Sequence, residues 1–243
     1  MRLQARIFGV LLCAAAVAAC GDDSGDNGTG GTGGAGGTGG TGGSAETATV
    51  TGIVYFYEEG FPVAGGATVE VQGTDLSATT DENGIFTLED VPVGDRFFIT
   101  TLAGSWSVVD YWVVPEETRN GADLLVVRDG EVAAWETAIG RAISDNHAMV
   151  DIIFLAGAQG GETGEIDTDS DPPFTFSGWD AVNQQSVIAD GEGFGELVFP
   201  NVDPPSGTVD ATVMPSACDI DESEGLRYPI FPKTVTLIYA ICE

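Results

Sequence analysis

The chain has 243 residues, and its 38 Asp and Glu outnumber its 8 Lys and Arg, so the formal charge at pH 7 is -30. Nucleic acids and anionic lipid headgroups bind basic patches, and a surface this acidic argues against both. The sequence contains one His and no H-E-x-x-H pattern, so it lacks the ligand set of the usual zinc peptidases.

Residues 1–19 have the layout of a secretory signal peptide, with two Arg before an apolar run too short to span a bilayer. The run ends in Val-Ala-Ala-Cys at Cys20, which resembles the bacterial lipobox. That resemblance implies cleavage before Cys20 and lipid on its sulfur and new amino group. The alternative is an ordinary signal peptide whose small residues precede a cysteine. This signal resembles those of enterobacterial lipoproteins, in which an Asp directly after the lipidated cysteine retains the protein in the inner membrane. Here that position is Gly21. We therefore expect the protein in the outer membrane, with its folded part facing the periplasm or the cell surface.

Residues 20–45 form a tether rich in Gly and Thr, with the repeat GTGGTGG. This composition cannot bury enough apolar area to offset the entropy of ordering the chain. We therefore expect a disordered linker between the lipid anchor and a folded part that begins near residue 46.

Residues 46–118 show short runs of Val, Thr, Ile, Phe and Tyr broken by Gly, Pro, Asn and Asp, which predicts many short strands. In ATVEVQ, Val69 and Val71 share one face, and in IFTLEDV, Phe86 and Leu88 do so. Alternation of this kind is typical of a half-buried antiparallel sheet. The predicted fold class is all-β, with tandem antiparallel sandwiches and a short connecting helix.

Four blocks in chain order, GIV, PVAGGATVEV, ATTDENGIFTL and VPVG, resemble the carboxypeptidase regulatory-like domain over roughly residues 48 to 115. Gly66 departs from the usual P-V-x-G-A order by one inserted residue. The resemblance implies a transthyretin-like seven-stranded sandwich with a non-catalytic, accessory role. It does not imply carboxypeptidase activity for this chain.

The segment TDENG, in which Asp81 precedes Gly84 by three residues, predicts a tight turn whose Asp or Asn side chain bonds the local backbone. The spacing recurs at Asp190 and Gly193, again before an alternating run. This partial repeat predicts a second, divergent sandwich over residues 148–243.

A connecting segment, residues 119–147, separates the two predicted sandwiches and contains one helical pattern at about 129–143. Apolar residues recur three and four apart on one face, at Val132, Trp135, Ile139 and Ile143. Asp129 is the predicted N-cap.

Cys218 and Cys242 are the thiols left to the folded part once Cys13 leaves with the signal and Cys20 carries lipid. In an exported protein they should form a disulfide, and because no CxxC pattern is present we expect that bridge to be structural.

Carboxylates at Asp167, Asp169 and Asp171 match the first three ligand positions of an EF-hand loop. The sixth and twelfth positions, Pro172 and Gly178, depart from that loop. A looser calcium site is one interpretation and a solvated loop is the other; no other cofactor is predicted.

Aromatic residues offer the candidate binding surface. Tyr55 and Tyr57 share a strand face, and Tyr111 and Trp112 follow Trp106 near the end of the first sandwich. Such side chains stack on sugar rings or anchor a protein partner, although core packing and cross-strand pairing explain them as well.

The sequence therefore predicts a non-enzymatic, lipid-anchored envelope protein with a binding or structural role towards a protein or polysaccharide. One alternative is an accessory or regulatory subunit of an envelope enzyme complex. A second is a hydrolase that uses paired carboxylates.

Overall fold

The computed structural model describes residues 46–155, 157–190, 193–203, 207–215, 217–220 and 226–242. Within them the predicted all-β sandwich fold with a single short helix is confirmed. The elements in chain order are β1 (Thr47–Phe56), β2 (Thr68–Val71), β3 (Ser77–Thr79), β4 (Ile85–Pro92), β5 (Gly94–Thr101), β6 (Ser105–Val114), β7 (Arg119–Arg128), α1 (Asp129–Ile139), β8 (Ala148–Leu155), β9 (Thr163–Ile166), β10 (Phe174–Ser177), β11 (Asp180–Val182), β12 (Gly195–Val202), β13 (Thr208–Val209), β14 (Ala211–Met214), β15 (Cys218–Ile220), β16 (Tyr228–Pro229) and β17 (Thr234–Cys242).

Strands β1 to β7 form two layers around one apolar core. In one layer β1 pairs with β4 in antiparallel and with β7 in parallel orientation, and in the other the order is β3-β2-β5-β6. Val69 and Val71 are buried in this core together with Phe86 and Leu88, as their alternation predicts. Strand β7 lies in the segment that the sequence suggested was a connection, because its pairing partner β1 is distant in the chain.

The layer that holds β6 continues into the second half of the chain. Strand β17 lies between β6 and β8 and pairs with both in parallel orientation, so that a 13-stranded sheet includes strands from both predicted sandwiches. Both β8 and β17 are almost continuously buried, which is typical of strands covered on both faces. These parallel pairs differ from the predicted antiparallel pattern, and the boundaries at residues 118 and 148 stay predictions.

The far part of this sheet runs β17-β8-β12-β10-β11, and its two faces are both covered. Small two-stranded pairs, β9 with β14 and β13 with β16, contribute to the apolar core on one face. Strand β15 pairs with β17 so that Cys218 lies directly opposite Cys242, and the predicted disulfide joins them.

Helix α1 follows β7 without a loop and buries Val132, Trp135 and Ile139, three of the four residues of the predicted face. The predicted end at about 143 is wrong, and Ile143 lies beyond the helix. The helix ends at Ile139 because Gly140 adopts a left-handed conformation and donates its N–H to a carbonyl of the last turn. The predicted N-cap is wrong by one residue. Arg128 occupies that position without a side-chain cap, and Asp129 lies in the first turn, where its carboxylate binds Lys233 at 2.9 Å.

The predicted turn is present at both copies of the repeat. The Asp81 carboxylate accepts hydrogen bonds from the backbone N–H of Asn83 and Ile85 at 2.8 and 2.9 Å. The Asp190 carboxylate accepts one from Phe194 at 2.9 Å. Gly84 and Gly193 have φ of 75° and 80°, so the two turns share a left-handed glycine three residues after the capping Asp.

Candidate functional site

Three of the buried acidic side chains are close enough to one tyrosine, Tyr239, to raise its pKa. Asp110, Asp151 and Glu196 are 2, 4 and 3% exposed and belong to β6, β8 and β12. Asp151 is in register with Leu237 of β17 on one side and Val198 of β12 on the other. We call these three residues the buried acid cluster.

Two tyrosines border the buried acid cluster. Tyr57, just beyond the end of β1, donates its hydroxyl hydrogen bond to a carboxylate oxygen of Glu196. Burial raises the pKa of Tyr57 well above its usual value, and the charges of Glu196 and Asp151 raise it further. Tyr239 of β17 shows the same upward shift of its pKa from burial and from Asp110. Both phenols therefore remain protonated and act as hydrogen-bond donors.

Burial dominates the titration of the acids. It raises the pKa of Asp110 to about 7 and that of Glu196 to about 7. It also raises the pKa of Asp151, to which the neighbouring Glu196 adds. Arg119 attracts Asp110 but is itself only half-buried. Among the described residues no Arg or Lys is fully buried, so no buried cation compensates the negative charge of the ionised cluster.

The same burial bears on catalysis. Paired carboxylates that cleave a glycosidic bond must touch the sugar on both sides of the scissile bond. Asp151 and Glu196 are at most 4% exposed, and Glu196 accepts the hydroxyl hydrogen bond of Tyr57, whose ring packs against Trp135 and Phe176. This arrangement supports packing and does not offer the carboxylates to a substrate.

An aromatic cluster extends from Tyr57 towards the surface. The Tyr57 ring lies 5.5 Å from Trp179 and 6.5 Å from Phe61, and Phe61 lies 5.2 Å from Trp179, all in edge-to-face orientation. On its inner side Tyr57 packs against Trp135 and Phe176. Edge-to-face rings at these separations attract one another beyond the area they bury.

Tyr57, Phe61 and Trp179 are each partly exposed, whereas Trp135 and Phe176 are buried. Because Tyr57 also contacts the buried rings, we call Phe61 and Trp179 alone the outer aromatic pair. Phe61 belongs to the loop after β1, and Trp179 to the turn between β10 and β11, so residues 118 positions apart in sequence meet here. Glu59 and Asp180, close to them in sequence, are exposed.

The four predicted binding residues lie in different surroundings. Tyr55 is in β1, opposite Leu125 and Val63, whereas Tyr57 belongs to the aromatic cluster. Tyr111 packs against Phe97 and Tyr228 at 5.6 and 6.3 Å.

The hydroxyl of Tyr111 donates to Asp95 at 2.8 Å. Trp112 packs against the first core beneath the guanidinium of Arg119, which lies 4.4 Å from the ring centre. Ligand binding by any of the four predicted residues stays a prediction.

The predicted calcium ligands have separate protein partners. Asp167 forms an ion pair with Arg227 at 2.7 Å, and Asp171 accepts a hydrogen bond from Asn201 at 2.8 Å. Among the described residues, no group of three His, Cys, Asp or Glu side chains is arranged to hold a metal. Calcium would have to displace Arg227 from Asp167, and its binding stays a prediction.

Cys20 and the tether lie outside the described residues, so lipidation and localisation also stay predictions. In the part of the chain that the structure describes, no helix is both long and apolar enough to cross a bilayer.

Sequence reasoning missed both the buried acid cluster and the outer aromatic pair. A signal for the acids is present, because Asp110, Asp151 and Glu196 each interrupt a strongly apolar strand, as in MVDIIFLA. Trp179 carries no comparable signal, because the sequence of its turn does not indicate which loop will pack against it.

Comparison with known proteins gives no family. No family model matches the chain, and no curated protein matches it. Among solved structures, a cohesin–X-dockerin complex from Acetivibrio cellulolyticus is 25% identical over 33% of this chain, with a TM-score of 0.29. This chain spans 58% of that one.

Two further structures match more of the chain at lower identity. The minor pilin GBS52 of Streptococcus agalactiae is 13% identical over 81% of this chain and 97% of its own, with a TM-score of 0.23. The Bacillus anthracis TIE protein is 15% identical over 81% of this chain and 34% of its own, with a TM-score of 0.28. Scores this low carry no functional argument.

Proposed function

We propose that the protein is a non-catalytic cell-envelope lipoprotein that presents its β-sandwich fold for contact with a protein or polysaccharide. The observation that carries this proposal is the position of the outer aromatic pair. Phe61 and Trp179 join Tyr57 at the end of β1, whereas the chain enters β1 at Thr47, at the other end of the strand. Ten residues of strand separate these ends by roughly 30 Å.

The tether would join the fold at Thr47, so the outer aromatic pair lies at the end of β1 that is farther from the point of attachment. Partly exposed aromatic side chains on a rigid scaffold are typical of binding surfaces, since they bury much area at little entropic cost.

The enzymatic alternative has less support. Its candidate acids, Asp151 and Glu196, are buried, and the one His, His147, lies just before β8 in a separate segment. An accessory role in an enzyme complex needs the same exposed surface as the proposal and differs only in the partner.

Two measurements test the proposal. Metabolic labelling with a fatty-acid analogue should mark the wild-type protein and leave a Cys20→Ala variant unmarked, and an unmarked wild-type protein would refute the anchor. For binding, the chain from residue 20 onwards carrying Cys20→Ser should be retained by envelope material separated into protein and polysaccharide fractions. Retention by neither fraction would refute the binding role.

A further inference from the structure

We infer that the outer aromatic pair is a binding site for a neutral polysaccharide, with Phe61 and Trp179 stacking on sugar rings. This inference rests on the proposed binding role and names its ligand class. Its evidence is the geometry of the two rings, the charge around them and the backbone of Phe61.

The rings are held in place from beneath. Tyr57 contacts both Phe61 and Trp179 edge-to-face, and its hydroxyl is bound to Glu196, which is 3% exposed. Trp135 supports Tyr57 from the helix at 5.9 Å. A ring whose orientation is fixed in this way loses little entropy when a ligand covers it.

The backbone of Phe61 adds a second observation. Its φ is 45°, in the left-handed region that disfavours residues with a Cβ, although Gly60 beside it has φ of 85°. A large side chain kept at such a position is strained, and strain of this kind is concentrated at functional sites. In this left-handed conformation the Phe61 ring lies 5.2 Å from Trp179.

Charge selects a neutral, hydroxyl-rich ligand. Glu59 and Asp180 are exposed within two residues of the two rings, and the whole chain carries -30. Carboxylates accept strong hydrogen bonds from hydroxyl groups, whereas they repel uronates, sulfates and phosphates.

A protein partner fits this site less well. A standard protein interface covers about 800 Å² on each side and has an apolar centre with few charges. Exposed carboxylates lie close to the outer aromatic pair in sequence, at Glu59 and Asp180, and their desolvation in a protein interface is costly. Sugar rings place apolar C–H faces on the aromatics and leave the carboxylates hydrated or hydrogen-bonded.

Affinity electrophoresis of the Cys20→Ser chain in gels containing neutral glucan, mannan or galactan tests the inference, with and without calcium. An acidic uronate polymer serves as the charged comparison. We expect retardation by at least one neutral polymer and none by the uronate. Trp179→Ala should weaken the interaction at least about tenfold, whereas Phe231→Ala, which removes a partly exposed aromatic residue between β16 and β17, should leave it unchanged.

A second pair of variants separates binding from folding. Phe61→Gly removes the ring and at the same time relieves the left-handed strain, so the fold should persist while binding falls. Asp90→Gly is the matched control, because Asp90 is an exposed residue with φ of 58° and its replacement relieves strain without removing a ring. Circular dichroism and the urea midpoint verify folding of each variant.

The outcomes distinguish the two proposals. Retention by the envelope protein fraction that depends on Trp179, without binding to any neutral polymer, would overturn the sugar inference and leave the binding role in place. Binding to a neutral polymer that Phe61→Gly and Trp179→Ala do not weaken would overturn the site. Retention by no fraction and no polymer would overturn both.

Discussion

The wild-type protein should lose stability as the pH rises because the buried carboxyl of Glu196 ionises, and a Glu196→Gln variant should be free of this contribution. Burial raises the pKa of Glu196 from 4.5 to about 7 in the folded protein, while in the unfolded chain the carboxyl keeps its ordinary value. Between these values the unfolded state releases a proton that the folded state retains. Folding is therefore disfavoured progressively as the pH rises through this window, and the effect is complete above the folded pKa.

The size of the effect follows from the two pKa values. At 1.36 kcal/mol per pKa unit, the raised pKa of Glu196 lowers the free energy of unfolding by roughly 3 kcal/mol at pH 8 and by about 1 kcal/mol at pH 5. Glutamine has nearly the same shape, carries no charge and retains a carbonyl that can accept the hydroxyl hydrogen bond of Tyr57. Glu196→Gln should accordingly stabilise the protein by about 2 kcal/mol more at pH 8 than at pH 5.

Urea unfolding at the two pH values, with the disulfide intact, measures this difference. Asp110, whose pKa is also raised to about 7, and Asp151, whose pKa burial raises as well, leave a residual slope of the same sign in the variant. Glu165→Gln, which removes an exposed carboxylate from β9, controls for the lower net charge and should show no such pH-dependent gain. If Glu196→Gln gains equally at both pH values, or loses stability at pH 8, the account of the buried acid cluster is wrong.

Two further predictions concern the turn and the disulfide. Gly84→Ala should lower the free energy of unfolding in urea by at least about 2 kcal/mol more than Gly73→Ala does. A Cβ at Gly84 would lie 2.7 Å from the Val54 carbonyl oxygen, whereas a Cβ at Gly73, where φ is 76°, would meet open space. Equal losses would contradict the close approach at Gly84. Replacing Cys218 and Cys242 together by Ser should lower the unfolding free energy by about 3.5 kcal/mol in the chain-entropy model, and an unchanged urea midpoint would show that the bridge does not constrain the unfolded chain.

Local chemistry made much of the first sandwich predictable. Alternation places Phe86 and Leu88 in the core, and a side chain that caps its own turn needs only nearby backbone, so Asp81 and Asp190 could be recognised from spacing alone. The helical face of Trp135 is local in the same sense.

Long-range pairing could not be obtained in this way. The last strand, β17, lies between β6 and β8, and nothing in its sequence specifies which neighbours it will have. The mostly apolar sequences of β8 and β17 do indicate burial on both faces, and that pattern is more typical of parallel than of half-exposed antiparallel pairing. The predicted binding residues were separated for the same reason, because Tyr57 acquires its role from Trp179 and Glu196, which belong to the other half of the chain.

The most direct test of binding through the outer aromatic pair is to record the tryptophan indole N–H signals by NMR. The chain has four tryptophans, at positions 106, 112, 135 and 179, and each gives one such signal. A Trp179→Phe variant assigns the signal of Trp179. On addition of oligosaccharides cut from a retarding neutral polymer, the signal of Trp179 should move while that of Trp106, which is 2% exposed, stays in place. A stationary Trp179 signal at saturating oligosaccharide would contradict the account.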